Sequence, residues 1–167
     1  MIHIYYGDGK GKTTAACGLA LRSIGQGQHV LLTQFLKNDN SGEILPFRTL
    51  GVKLLHTNYP MTFTWRMNEE QFQKTEQAMR NLLDRVVEES KNMDLVIMDE
   101  VLLVYMHDMI DRKKVLDFLR STNQEIVLTG RDKPDEDLLE LADYVTEIKK
   151  IKHPFDKGVL ERRGVEF

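Results

Sequence analysis

The chain has 167 residues, of which 41% are hydrophobic and 29% charged, and its formal net charge is −3. This length and apolar content predict one compact domain over residues 1–167 with a real core. The balance of 23 basic against 26 acidic residues gives no electrostatic footing for nucleic acid or an anionic membrane, so neither is expected as a partner. A single cysteine, Cys17, rules out a disulfide framework within the chain and points to a reducing compartment. The longest apolar run, Val101 to Met106, is too short to cross a bilayer. No basic-then-apolar signal pattern opens the sequence, which begins directly on a strand, so a cytoplasmic location is expected.

In chain order, Ile2 to Tyr6 is a β-rich run that ends in glycine-rich punctuation. Thr13 to Ile24 is rich in Ala and Leu and reads as a helix, stopped by Gly25 and Gly27. His29 to Phe35 is a strand, Leu36 to Phe47 a polar loop, and Val52 to His56 a further strand. Thr57 to Trp65 is irregular, with aromatics that look exposed. A long helix then starts at Asn68, an N-cap residue followed by Glu69 and Glu70, which favour the positive end of the helix dipole. Met67 and Phe72 are spaced as a hydrophobic staple, and Phe72, Met79, Leu82, Leu83, Val86 and Val87 recur with helical period. Leu95 to Met98 is a continuous apolar run of the kind buried on both faces of a sheet. A helix over about Arg112 to Ser121, a strand from Glu125 to Thr129, a short helix from Asp135 to Leu141 and a strand from Tyr144 to Ile148 complete the pattern. Strands alternating with helices predict a mainly parallel sheet with right-handed crossovers and ligands at the carboxyl ends of its strands.

The chemistry concentrates after the first strand, in Gly7-Asp8-Gly9-Lys10-Gly11-Lys12-Thr13-Thr14. A glycine-rich turn between strand and helix points backbone N–H groups inward, and the helix N-terminus adds partial positive charge, so the pair makes an anion site. Lys12 supplies a mobile cation for phosphate oxygens, and the Thr13 hydroxyl is the expected partner of Mg²⁺. This motif places the chain in the α/β class, as a single-domain P-loop (RecA-like) fold with helices flanking the sheet. The general spacing is G-x-x-x-x-G-K-[ST], whereas only Asp8, Gly9 and Lys10 separate Gly7 from Gly11. The loop is one residue short, which argues against routine γ-phosphate chemistry. A second acidic site, Asp99 and Glu100, ends the buried strand at Met98 and is placed where this fold holds Mg²⁺, directly or through water. If both residues are extended they point to opposite sides, and one of them meets the metal. Arg131, just after a strand, offers a planar donor for phosphate or ribose, and Lys10 a second phosphate contact. His153 lacks partner His or Cys residues and reads as structural; Cys17 reads as a packed small residue.

The ordered set of motifs resembles the phosphate-loop family of ATP:corrinoid adenosyltransferases, which act on cob(I)alamin or cobyrinic acid a,c-diamide. The matches run from Gly7 to Ala16 and Gly18 to Arg22, through Gln34-Phe35-Leu36-Lys37, Phe63-Thr64-Trp65 and Met98-Asp99-Glu100. They continue with Leu128 to Arg131, Ala142 to Glu147, Lys152 to Phe155, Lys157 to Val159 and Gly164 to Phe167. The shortened loop is itself a trait of that family. The resemblance implies a corrinoid substrate reduced to Co(I), attack on C5′ of ATP, and departure of the whole triphosphate. It implies Thr13 and Glu100 as Mg²⁺ ligands, a reversed ATP, and Phe63 and Trp65 as aromatics that face the corrinoid and displace its lower axial ligand. A flavin-dependent reductase as electron donor and a homodimer are likewise implied by the resemblance alone. Asp8 stands where the family usually has Asn, and Glu161-Arg162 where it usually has Ala-Gln. Many members carry an extra stretch ahead of the first strand, so a more open corrinoid pocket, or one completed by a second subunit, is expected here. Two other function classes remain: an ordinary phosphate-loop kinase or ATPase, and a carrier that binds nucleotide or corrinoid without turnover.

Overall fold

The computed structural model describes residues 1–37, 41–57, 59, 67–160 and 162–165. Six strands, β1 (Ile2–Tyr6), β2 (Val30–Gln34), β3 (Lys53–Leu55), β4 (Leu95–Asp99), β5 (Glu125–Gly130) and β6 (Tyr144–Glu147), form one sheet in the order β3-β2-β4-β5-β1-β6. Every neighbouring pair is parallel. The helices are α1 (Lys12–Ile24), α2 (Ile44–Thr49), α3 (Glu69–Glu89), α4 (Val101–Met106), α5 (Arg112–Ser121) and α6 (Glu136–Leu141), with one 3₁₀ turn at Pro154–Lys157. The parallel sheet follows from the sequence pattern: the central strands β2 and β4 are too apolar to face water, and the crossovers lay helices over the sheet.

Two apolar clusters sandwich the sheet. On one face Ala16 and Ala20 of α1 and Phe47 of α2 pack with Val30, Leu32, Leu95, Ile97 and Val127. Small residues on α1 let it lie close to the strands that frame the phosphate loop. On the other face Met79, Leu82, Leu83 and Val86 of α3 join the buried residues of α4, α5 and α6 over Ile4, Leu31, Val96, Met98, Ile126 and Leu128. Strands β2 and β4 are buried along their whole length. β6, at the edge, is exposed throughout.

The helix starts are well specified. Asn68 accepts from the Gln71 backbone N–H at 2.8 Å while the Gln71 side chain accepts from Asn68 N at 3.0 Å, a complete capping box. Asp111 and Asp135 cap α5 and α6 in the same sense. The expected stripe on α3 holds at Met79, Leu82, Leu83 and Val86, but Phe72 is 39% exposed. The turn above is filled instead by Thr75, buried, whose hydroxyl is 3.5 Å from Met67 Sδ. The expected loop from Leu36 to Phe47 in fact leads into α2, whose Ile44 and Phe47 bury themselves under the sheet edge. Most of the irregular stretch Thr57 to Trp65, with Phe63 and Trp65, lies outside the described residues.

Candidate functional site

The carboxyl ends of β1, β4 and β5 lie side by side, because β5 is hydrogen-bonded to both of the others. Three chemically loaded segments therefore meet at one edge: the glycine loop after β1, Asp99-Glu100 at the end of β4, and Thr129-Gly130-Arg131 at the end of β5.

The glycine loop is pressed against the strand-end segment 148–150. Gly9 N–H donates to the Ile148 carbonyl at 2.8 Å. A side chain at Gly7, whose φ is +118°, would collide with that same carbonyl, and one at Gly9 would come within 2.8 Å of Ile148 and Lys149 backbone atoms. Both positions therefore require glycine, one for its conformation and both for close approach. Asp8 completes this seam by accepting from Lys150 N–H at 2.9 Å. That bond, ahead of the nearby Lys150 and Arg131 charges, holds the Asp8 carboxyl below the usual carboxylate range despite some desolvation. A carboxylate in a phosphate loop is unfavourable if it faces the phosphates; here it is engaged with the backbone of the neighbouring segment instead.

Lys12 folds back on its own loop, donating to the Gly9 carbonyl at 2.7 Å. Burial pulls its pKa below the usual lysine range; Glu100 opposes this and the charge of Arg131 adds to it. Arg131 is exposed beside the loop, as are Lys10 and Thr14. Lys12, the loop amides and the start of α1 are thus arranged as an anion site requires, and Arg131 adds positive potential from the end of β5.

Asp99 is the hub of the site. Its side chain is completely buried, and it accepts four hydrogen bonds from four directions. Thr13 of α1 donates at 2.8 Å and Thr129 of β5 at 2.6 Å to one oxygen. Lys37, just past β2, donates at 2.7 Å and Gln34 of β2 at 3.2 Å to the other. Four donors fill the lone-pair capacity of a carboxylate. Gln34 is held in turn by Glu43 at 2.7 Å. Because Thr13 spends its proton on Asp99, its oxygen is left to accept, and the Lys37 ammonium lies 3.4 Å from it. Burial holds Lys37's pKa down, but the Asp99 charge and hydrogen bond outweigh it and the ammonium sits above its ordinary range.

Glu100 departs from the extended geometry expected of it. Its φ is +59°, left-handed, and its N–H donates to Thr129 Oγ1 at 3.0 Å. A non-glycine residue in this region carries a strain of order 1 kcal/mol that the surroundings must hold. The kink turns the chain directly into α4. Burial and the adjacent Asp99 push the Glu100 carboxyl above the usual range, with Lys37 and Lys12 opposing.

The site's donors would suit a hard divalent cation. Thr13 and Glu100 could offer it oxygen ligands, Asp99 being filled by its four donors, and among the described residues no group of three or more His, Cys, Asp or Glu gathers. That fits an ion such as Mg²⁺, which takes one or two protein oxygens and completes its shell with water and phosphate, better than an all-protein cage. Sequence reasoning assembled the loop, Asp99, Glu100 and Arg131, but passed over Gln34, Lys37 and Thr129 as site residues. A signal was available: all three sit at or just after the carboxyl end of a strand. Elsewhere, His153 caps the 3₁₀ turn, its Nδ1 accepting from Phe155 N–H at 3.2 Å. The part-buried Cys17 thiol is pushed up to about 12, chiefly by burial, which leaves it a packing residue.

A family model described as ATP:corrinoid adenosyltransferase BtuR/CobO/CobP matches residues 1–167. A corrinoid adenosyltransferase from Sinorhizobium sp is 33% identical over 181 residues, covering 100% of this chain and 80% of its own. The corrinoid adenosyltransferase of Escherichia coli strain K12 is 32% identical over 173 residues, covering 100% and 85%. Among solved structures, the KaiC-like protein PH0186 from Pyrococcus horikoshii OT3 shares the fold, with a TM-score of 0.54 at 12% identity over 99% of this chain and 74% of that one.

Proposed function

Because the chain belongs to the ATP:corrinoid adenosyltransferase family, we propose that it transfers the 5′-deoxyadenosyl group of ATP to the cobalt of a reduced corrinoid and releases triphosphate. The observation that supports this reading is the shortened loop, one residue below the general spacing and packed against residues 148–150 through Gly7, Asp8 and Gly9.

In this reaction the Co(I) electron pair forms a bond to C5′ of ATP, the C5′–O5′ bond breaks, and its electrons leave with the triphosphate. Cobalt ends formally as Co(III). No water has to be activated, so the protein's task is to hold the leaving group and stabilise its growing charge. The loop amides and Lys12 are suited to the triphosphate oxygens, with Arg131 and Lys10 at the rim. Asp99 takes the Thr13 proton in a hydrogen bond and leaves the hydroxyl oxygen to accept, and Glu100, next after Asp99, would be the second oxygen donor. A bound Mg²⁺ would supply further charge neutralisation on the triphosphate. Phe63 and Trp65 belong to the proposal as the apolar wall against the corrinoid, on the strength of the family resemblance. Mg²⁺ dependence, a flavin-dependent reductase and a homodimer complete the reading. Among the described residues no helix is long and apolar enough to cross a membrane.

The test mixes the protein with ATP, Mg²⁺ and chemically reduced corrinoid. An adenosylated corrinoid and intact triphosphate are expected in equal amounts. Orthophosphate as the main product would mark an ordinary phosphate-loop ATPase, and binding of both substrates with neither changed would mark a carrier.

A further inference from the structure

Lys37 is unlike the other basic residues near the loop. It leaves the end of β2 after Leu36, which is left-handed at φ +53°, an unfavourable conformation for a leucine that redirects the chain toward β4. The end of β2 is pinned there by Phe35 N–H, which donates to the Asp99 carbonyl at 2.9 Å. The result is an ammonium 2.7 Å from buried Asp99 and 3.4 Å from Thr13 Oγ1. That position, between the hydroxyl that follows the loop lysine and the acid that ends β4, is where this fold holds its divalent cation.

We infer that Lys37 is a tethered cation that occupies the metal position between Thr13 and Asp99 in the nucleotide-free protein and is exchanged for the divalent ion when Mg·ATP binds. The inference rests on the nucleotide reading above. A buried carboxylate needs a positive partner at all times, since an unpaired charge in a dry site is costly. Two cations cannot share the Thr13 oxygen at this spacing, because their repulsion in a low-dielectric site is large. Lysine suits an exchangeable role: its charge is compact and its stem has four flexible carbons. The exchange keeps Asp99 neutralised throughout, and moves the Lys37 ammonium off Thr13 as the triphosphate arrives. The alternative is a permanent Lys37–Asp99 pair that never leaves.

Two measurements separate these. In the full chain, the side-chain NH₃⁺ resonance of Lys37, assigned by its loss in Lys37→Arg, is expected to be visible through protection from exchange. It should persist with ATP in EDTA and disappear or move with Mg·ATP, corrinoid being absent. An unchanged resonance with Mg·ATP, or none at all in the free protein, overturns the exchange. Second, Lys37→Met is expected to melt roughly 5–10 °C below wild type in EDTA, and millimolar Mg²⁺ alone should restore at least half of that loss while leaving wild type unmoved. A Lys37→Met protein that is indifferent to Mg²⁺ contradicts the inference. Neither arm requires transfer to cobalt, so failure of the adenosyltransferase reading would show separately, as missing product with both arms intact.

Discussion

Neutralising Asp99 should damage stability and metal binding together, and the geometry says by how much. In Asp99→Asn the amide has one accepting and one donating end. Its oxygen is expected to face Lys37 and Gln34, which can only donate. Its NH₂ then faces Thr13 and Thr129, whose hydroxyls must turn round to accept. Breaking a buried ion pair costs about 3–5 kcal/mol. The side chain of Lys37 is 29% exposed, so water recovers part of that, and the retained neutral hydrogen bonds recover more; about 2–3 kcal/mol remains. At about 2–4 °C per kcal/mol for a chain of this size, the melting temperature should fall about 5–10 °C. The double variant Lys37→Met/Asp99→Asn should lose less than the two singles added, by about 2 kcal/mol, since it buries no lone charge. The rotated Thr13 hydroxyl should also weaken Mg·ATP binding by about tenfold or more even where the fold is intact. Melting curves of the four proteins and calorimetric titration with Mg·ATP check both halves. A fall under about 2 °C, or strict additivity in the cycle, would refute Asp99 as the charged hub.

Expected outcomes attach to four further residues. Glu100→Gln should raise the stability of the nucleotide-free protein by about 1 kcal/mol at neutral pH, as function-for-stability sites do, and lower its affinity for Mg·ATP. The same group gives a pH signature. Its folded pKa lies above the unfolded value because of burial and Asp99, so its contribution to stability is present in acid and lost as pH rises from the ordinary glutamate range through the raised value; the slope should flatten in Glu100→Gln. Asp8→Asn, which keeps an acceptor, should leave hydrogen exchange at Lys150 N–H unchanged, whereas Asp8→Ala should speed it; equal behaviour of the two would detach Asp8 from that amide. Gly130→Ala would set a methyl carbon 2.6 Å from Leu102 Cβ, lifting α4 from the sheet at a cost of about 1–3 kcal/mol, measurable by chemical denaturation. Lys12→Ala should weaken triphosphate binding and slow transfer together, and unchanged kinetics would remove Lys12 from the mechanism.

What could be read from the sequence was local. The loop, the Asn68 cap and the apolar run into Asp99 each carry their signal within a few consecutive residues, and each is where it was expected. What the sequence left unread depends on distance along the chain. Asp8 has no visible purpose until Lys150 is folded beside it, 142 residues on. Lys37 is one lysine in a polar stretch until β2 is paired with β4 and its ammonium meets Asp99. Glu100 was expected to continue an extended strand, but the Thr129 hydroxyl catches its N–H and holds the left-handed turn into α4. α2 was missed because it is short, contains Pro46 and buries only Ile44 and Phe47, too few to show a helical period.

The proposal is that the loop of Gly7 to Thr14, pinned by residues 148–150 and backed by Asp99, holds a departing triphosphate. The most direct test is product analysis after a single turnover of ATP, Mg²⁺ and Co(I) corrinoid. The account requires a cobalt–carbon bond and one intact triphosphate per adenosyl group transferred. Cleavage within the triphosphate chain, with the corrinoid unalkylated, would contradict it.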